Sequence, residues 1–158
     1  MKPDPNALEQ LSFYLGRAYY NYVGLLEREL ARSRLDLHLR PGMGHALFVL
    51  FEGDLLPIKT LAVRTMLSPS TLTGMLDRME RAGIVSRAAD PADGRSVLVR
   101  LTPLGRSLEP RCRELLRRVN RVLHAGMAEP ELRRLKRSLA KSIEAMRTEE
   151  TRKRGEAV

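Results

Sequence analysis

The stretch Ser68-Pro69-Ser70-Thr71-Leu72-Thr73-Gly74-Met75-Leu76-Asp77-Arg78-Met79-Glu80-Arg81-Ala82-Gly83 decides the fold. Serine followed by proline is a favoured pair at a helix start, because the hydroxyl satisfies an orphan amide and the proline ring already holds a helical φ. The cap alone is worth about 1 kcal/mol. Leu72, Met75, Leu76 and Met79 then recur at i, i+3, i+4 and i+7, a single apolar stripe. At 100° per residue, Ser70, Gly74, Asp77 and Arg81 point away from that stripe, Thr73 and Arg78 lie on its flanks, and Gly83 stops the helix.

Working outward, Ile58, Leu61 and Ala62 give a short helical pattern before this helix. Ala62, Leu67, Leu72 and Met75 supply the small residue and the apolar seam that two crossing helices need. After Gly83 the period changes to two. Ile84-Val85-Ser86-Arg87 and Val97-Leu98-Val99-Arg100-Leu101 read as strands, joined by Asp90-Pro91-Ala92-Asp93-Gly94-Arg95. Asp-Gly between β-branched runs is a strong hairpin signal. A short helix, a tight turn, a second helix with a polar outer face and a basic hairpin make a winged helix-turn-helix. Such a second helix buries one face and offers the other to a major groove.

The flanks are helical. Asp4-Pro5 opens a helix expected to run to about Arg34, with Leu8, Leu11, Leu15, Tyr19, Tyr22, Leu26 and Leu30 on one stripe. A second helix is expected from Pro41 to just before Gly53, turning Leu47, Leu50 and Phe51 inward. Thr102-Pro103 repeats the cap-and-proline signature and opens a long helix that Pro110 should kink or split. Gly126 ends it, Pro130 starts a last helix with Leu132, Leu135, Leu139, Ile143 and Met146, and the chain from Thr151 looks frayed. The fold class is therefore mainly α with a small β-hairpin wing. The expected organisation is an N-terminal dimerisation helix (1–38), a winged helix-turn-helix DNA-binding lobe (39–102), C-terminal dimerisation helices (103–150) and a tail (151–158). The stripes on the first and last helices exceed what one compact lobe covers, so a partner is expected.

With 158 residues, 43% apolar and 30% charged, the composition is that of one globular domain with helical extensions. One cysteine excludes a disulfide scaffold and a thiolate metal cage. His38, His45 and His124 have no ligand spacing, so no metal and no cofactor are expected. The longest apolar run, Ala46 to Phe51, is far too short to span a bilayer, and the N-terminus has no signal-peptide core, so a cytoplasmic location is expected. Net charge is +9, distributed as −1 over residues 1–54, +3 over 55–102, +6 over 103–137 and +1 over 138–158. A localised basic field calls for a polyanion: nucleic acid or an anionic membrane surface. There is no phosphate-binding glycine loop, nucleophile elbow or catalytic carboxylate or histidine pair, and an enzyme is not expected.

The residues Leu61-Ala62, Leu67-Ser68, Thr71-Leu72-Thr73 and Leu76-Asp77-Arg78-Met79-Glu80, ending in Gly83-Ile84-Val85, resemble the helix-turn-helix of MarR-type repressors. The wing is more specific: Asp93-Gly94-Arg95-Ser96-Val97-Leu98-Val99-Arg100-Leu101-Thr102 fits that family's D-x-R-x5-L-T signature, with Pro103 and Gly105 following. The match covers roughly residues 39 to 108. It implies a homodimer with interlocked first and last helices, a near-palindromic double-stranded DNA operator, and repression released by a small anionic or phenolic effector. Two positions depart from the family's pattern. Met66 stands at a turn position where glycine is usual, which implies a less tight turn. Gly74 replaces a larger, often basic residue, which implies either closer approach to the groove or specificity left to its neighbours.

The DNA-contacting set expected from this reading is Arg64, Ser68, Pro69, Ser70, Thr71, Thr73, Gly74, Arg78, Arg87, Asp93 and Arg95. Ser68 caps and orients the recognition helix, while Ser70, Thr71 and Thr73 meet the major groove. Arg95 enters the minor groove with Asp93 holding it, and Arg64, Arg78 and Arg87 meet phosphates. Asp77 and Arg78 either touch DNA or pair with the wing. The arginine-rich helix after residue 103 reads as a solvated face. Tyr14, Arg17 and His45 are the expected effector-pocket residues, an assignment that rests on the family's architecture. Some members sense peroxides through a cysteine near the start of the first helix, where this chain has Ser12, Phe13 and Tyr14; Cys112 lies on an apolar stripe and reads as a buried, inert thiol. The rival readings are a DNA-binding activator or architectural protein without an effector, and a basic module for RNA or a membrane surface.

Overall fold

The structure is a computed structural model that describes residues 10–94 and 96–155. Its elements in chain order are α1 (Leu11–Arg32), α2 (Gly44–Glu52), β1 (Leu56–Pro57), α3 (Ile58–Thr65), α4 (Pro69–Arg81), β2 (Val85–Ala89), β3 (Val97–Leu101), α5 (Pro103–Ser107), α6 (Glu109–His124) and α7 (Glu129–Gly155). The chain forms two compact units, one up to Val119 and the other from Asn120.

In the first unit each boundary follows from its local chemistry. Ser68 accepts the Thr71 amide at 3.3 Å and Pro69 occupies the first turn of α4. The same device starts α5, where Thr102 Oγ1 accepts the Gly105 amide at 3.0 Å. That hydroxyl also donates to the Gly83 carbonyl at 2.6 Å, so the end of the recognition helix and the start of α5 share one side chain. Gly105 cannot carry a side chain there: a Cβ would lie 2.2 Å from the Ile84 carbonyl oxygen. Pro110 splits the long helix as expected, because a proline at its second residue suits the first turn of α6 and not the interior of one helix.

The wing is a three-stranded antiparallel sheet in the order β1-β3-β2. β2 pairs with β3 from Val85↔Leu101 to Ala89↔Val97, two residues further than the expected strand ending at Arg87. β1, unforeseen in the sequence, pairs Leu56 with Val99 and Pro57 with Leu98. Two residues are too few to show a period, and a proline survives in a strand only at such an edge. The turn between α3 and α4 corrects another expectation. Met66 itself adopts the left-handed conformation (φ 55°) that a glycine would supply, so the turn is closed by backbone strain of about 1–2 kcal/mol.

One apolar core runs from Leu30 through Leu47, Leu61, Leu72, Leu76 and Val99 to Val119, and the segment boundaries expected at residues 38 and 102 fall inside it. Arg118 ties the end of α1 to α6, reaching Glu29 and the Ser33 hydroxyl at 2.6 Å each. In the second unit, α7 continues past Thr151 to Gly155, where the sequence suggests fraying; the segment holds no proline and no glycine before its last residue, and Arg152 pairs with Glu149 at 2.9 Å one turn back. The start of α1 expected at Asp4-Pro5, and Leu8 with it, lie outside the described residues.

Candidate nucleic-acid interface and ligand cavity

Helix α4 divides sharply. Leu72, Leu76 and Met79 are fully buried and Met75 nearly so. Pro69, Ser70, Thr71, Thr73, Asp77, Arg78 and Arg81 are exposed, and Gly74 is half-buried. The hydroxyls at the start of that face touch one another, Ser68 to Thr71 at 2.8 Å and Ser68 to Ser70 at 3.2 Å. They therefore present one ordered cluster of groups able to donate or accept. The site at Gly74 has room: a Cβ would meet only the Arg78 guanidinium, at 3.7 Å.

The arginines expected at phosphates differ in their surroundings. Arg78 makes no ion pair among the described residues. Arg64 pairs with Glu52 at 2.7 Å. Arg87, only 21% exposed, reaches Asp77 at 2.5 Å and Glu80 at 3.5 Å, while its amide donates to Glu80 at 3.2 Å. Of the two roles open to Asp77, the structure shows the pair with the wing. This bracket fixes strand β2 against the recognition helix; the sequence contained its partners, ten residues apart, without saying that they meet. Asp93 is exposed in the β2–β3 loop, where its carbonyl accepts the Ser96 amide at 2.8 Å. Arg95, the residue expected in the minor groove, lies outside the described residues.

A second clasp was not foreseen. Asp54 accepts the Leu101 amide at 2.9 Å and the Leu55 amide at 3.1 Å, and Arg106 donates to its other oxygen. Burial alone would raise the Asp54 pKa, but the hydrogen bonds from Arg106 and Leu101 prevail and hold the carboxyl below its ordinary value. The group links the end of α2, the last strand of the wing and α5.

In the same unit a cavity of about 490 Å³ opens between α1, the α1–α2 loop, α2 and α6. Its walls are mainly apolar, including Leu26, Leu30, Leu47, Phe48 and Leu115, with Tyr19, Tyr22, Arg40 and His45 as polar groups. Of the expected effector residues, His45 lines this cavity, whereas Tyr14 and Arg17 do not. They sit five and two residues before Tyr19 on an exposed part of α1. Tyr19 and Tyr22, one turn apart, are the polar residues of the α1 stripe that reach the wall, beside Leu26 and Leu30; Arg40 gave no periodic signal because it lies in the loop. Burial raises the Tyr22 phenol above its ordinary pKa, so it is a hydrogen-bond donor at neutral pH. Cys112 is buried on the same wall, and burial pushes its thiol up to about 11.

The comparisons with known proteins agree with this geometry. The MarR family profile matches residues 41–97. The HTH-type transcriptional repressor IacR of Pseudomonas putida is 30% identical over 132 residues, covering 83% of this chain and 77% of the relative. A probable transcriptional regulator from Pseudomonas aeruginosa superposes with a TM-score of 0.71 at 31% identity, covering 84% of this chain and 96% of that one. The PcaV transcriptional regulator from Streptomyces coelicolor, solved with its natural ligand, shares the fold with a TM-score of 0.81 over 92% and 99% of the two chains, at 23% identity. Mostly helical, with a small wing and a helix-turn-helix at its centre, the chain belongs to the MarR family of transcriptional regulators.

Proposed function

We propose that the protein is a homodimeric, sequence-specific repressor that binds double-stranded DNA in the cytoplasm and is released by a small anionic or phenolic effector. The observation that carries this reading is the outer face of α4. Its capped first turn presents Ser70 and Thr71 as an ordered hydroxyl cluster, Thr73 and Arg78, which has no ion pair among the described residues, follow, and the wing is pinned alongside by Arg87. Hydroxyls there accept from and donate to base edges, and the positive end of the helix dipole favours a phosphate. Because Arg64 and Arg87 are neutralised by acidic partners, Arg78 carries more of the phosphate contact than those two.

The effector reading rests on the cavity. Apolar walls that also carry Arg40 and His45 suit a small aromatic acid, whose ring is desolvated while its carboxylate meets a cation. PcaV's occupied ligand site supports the same use of the fold. The dimer reading rests on the outer helices. Leu135, Leu139, Ile143 and Met146 of α7 are 39–59% exposed in one row, and Leu11, Tyr14 and Tyr19 of α1 are 59–64% exposed. A two-fold dimer would place its recognition helices on half-sites about 34 Å apart.

The test is a variant in which Ser70, Thr71 and Thr73 are all alanine, measured against a duplex selected by the natural chain from a random pool. The variant should lose preference for that duplex over competitor DNA while keeping its weaker, salt-sensitive binding to any duplex. Unchanged preference would remove these hydroxyls from the reading surface.

A further inference from the structure

The hydroxyl face of α4 leaves the helix before it unexplained. On α3, Lys59 and Val63 fall at i and i+4 and are exposed, Met66 follows at the C-cap and is also exposed, and Leu61 and Thr65 are buried. Val63 is 77% exposed and Met66 58%, and the Met66 amide donates to the Val63 carbonyl at 3.3 Å, which ties the two together at the end of the helix. Met66 holds this position with a φ of 55°. Glycine would fit that backbone without strain and without an apolar side chain in water, so both local terms run against methionine. Two residues later Ser68 caps α4. The apolar pair therefore directly precedes the first turn of the recognition helix along the chain, and Lys59, one turn before Val63, carries a charge suited to a phosphate.

Among the groups that base pairs present in a major groove, the C5-methyl of thymine is the apolar one. We propose that Val63 and Met66 form a seat for a thymine C5-methyl, reading one base pair that the hydroxyls of α4 do not read. The inference rests on the DNA-binding reading above and adds a base identity to it. Burying one methyl group corresponds to about a fourfold change in affinity, and each half-site of a dimer's operator would carry one such contact.

The experiment uses the full-length dimer and a duplex that the natural chain selects from a random pool. Each thymine is replaced in turn by deoxyuridine, which lacks only the methyl. Binding is compared for the natural chain, Met66→Gly and Val63→Ala, with thermal denaturation as a check on folding; glycine fits the left-handed backbone and alanine suits the helix. At one position per half-site the natural chain should prefer thymine by about fourfold. Both variants should lose that preference while binding the deoxyuridine duplex as well as the natural chain does. If the natural chain shows no thymine preference anywhere, or both variants retain it, the seat is refuted while the DNA-binding reading stands. Failure to select any duplex would instead bring down the reading itself, and the seat with it.

Discussion

Helices α4 and α7 carry the same apolar spacing and are buried to very different extents. In α4, Leu72, Met75, Leu76 and Met79 are at most 5% exposed; in α7, Leu135, Leu139, Ile143 and Met146 remain 39–59% exposed. Both rows repeat every three or four residues, so both predict a helix with one apolar face. The difference lies in what the same chain provides to cover that face. Around α4, α3, strand β2 and the start of α5 close a core within 50 residues of sequence. In the unit from Asn120 onward, the described residues give α7 no comparable set, and its stripe stays exposed. The lobe is thus self-sufficient in packing, and the proposed dimer would supply the cover that α7 lacks.

The largest expected effect breaks this contrast from the side of α7. Leu139→Glu combined with Ile143→Glu should raise the dimer dissociation constant by at least about 100-fold, since two buried aliphatic side chains are worth roughly 3–6 kcal/mol. Sedimentation at micromolar concentration should show monomers with unchanged helix content; persistent dimers would mean that this stripe is not the interface. On the side of the lobe, Gly105→Ala should destabilise the fold by about 3 kcal/mol, because the added Cβ meets a backbone carbonyl rather than a movable side chain. Urea unfolding with a midpoint equal to that of the natural chain would contradict the close packing of α5.

Cys112 tests whether the cavity wall is as dry as the core behind it. Its raised pKa of about 11, against an ordinary 9.0, means that the folded state favours the protonated thiol. That stabilisation is complete below pH 9 and is lost as pH rises through 11. At pH 8 alkylation of the folded chain should be about 100-fold slower than in denaturant, from thiolate fraction alone. Equal rates would show an exposed, ordinary thiol. The smallest effect is at Gly74: alanine should stabilise the lobe by about 1 kcal/mol through helix propensity, with open space to receive it. If the same variant weakens DNA binding, glycine is there for close approach to the groove; if binding is unchanged, specificity rests on its neighbours.

Much of the lobe was legible because its signals are local. Ser68-Pro69 and Thr102-Pro103 cap the helices they were expected to cap, the i, i+3, i+4, i+7 stripe of α4 is buried in full, and Pro110 divides α5 from α6. What escaped was non-local or too short for a pattern. β1 is two residues long, and Asp54 reaches Leu101 across 47 positions of sequence. The cavity's Arg40 sits in a loop, and Tyr14 and Arg17 lie five and two residues before Tyr19, off the wall that Tyr19 and Tyr22 reach. Met66 shows a third kind of miss, since a methionine itself adopts the left-handed conformation that the turn needs and that sequence reasoning reserves for glycine. Charge followed the same rule: composition located the basic field, but only the fold shows that Arg64 and Arg87 are neutralised by Glu52, Asp77 and Glu80.

The central claim is that the lobe grips duplex DNA through its phosphates and reads it with α4. It is tested most directly by measuring affinity for a selected duplex, with a single-stranded control, from 50 to 200 mM salt. If each subunit of the dimer neutralises several phosphates, affinity should fall by about 10³–10⁵-fold across that range and the duplex should be strongly preferred throughout. A shallow salt dependence, with single strands bound as well as the duplex, would contradict the account.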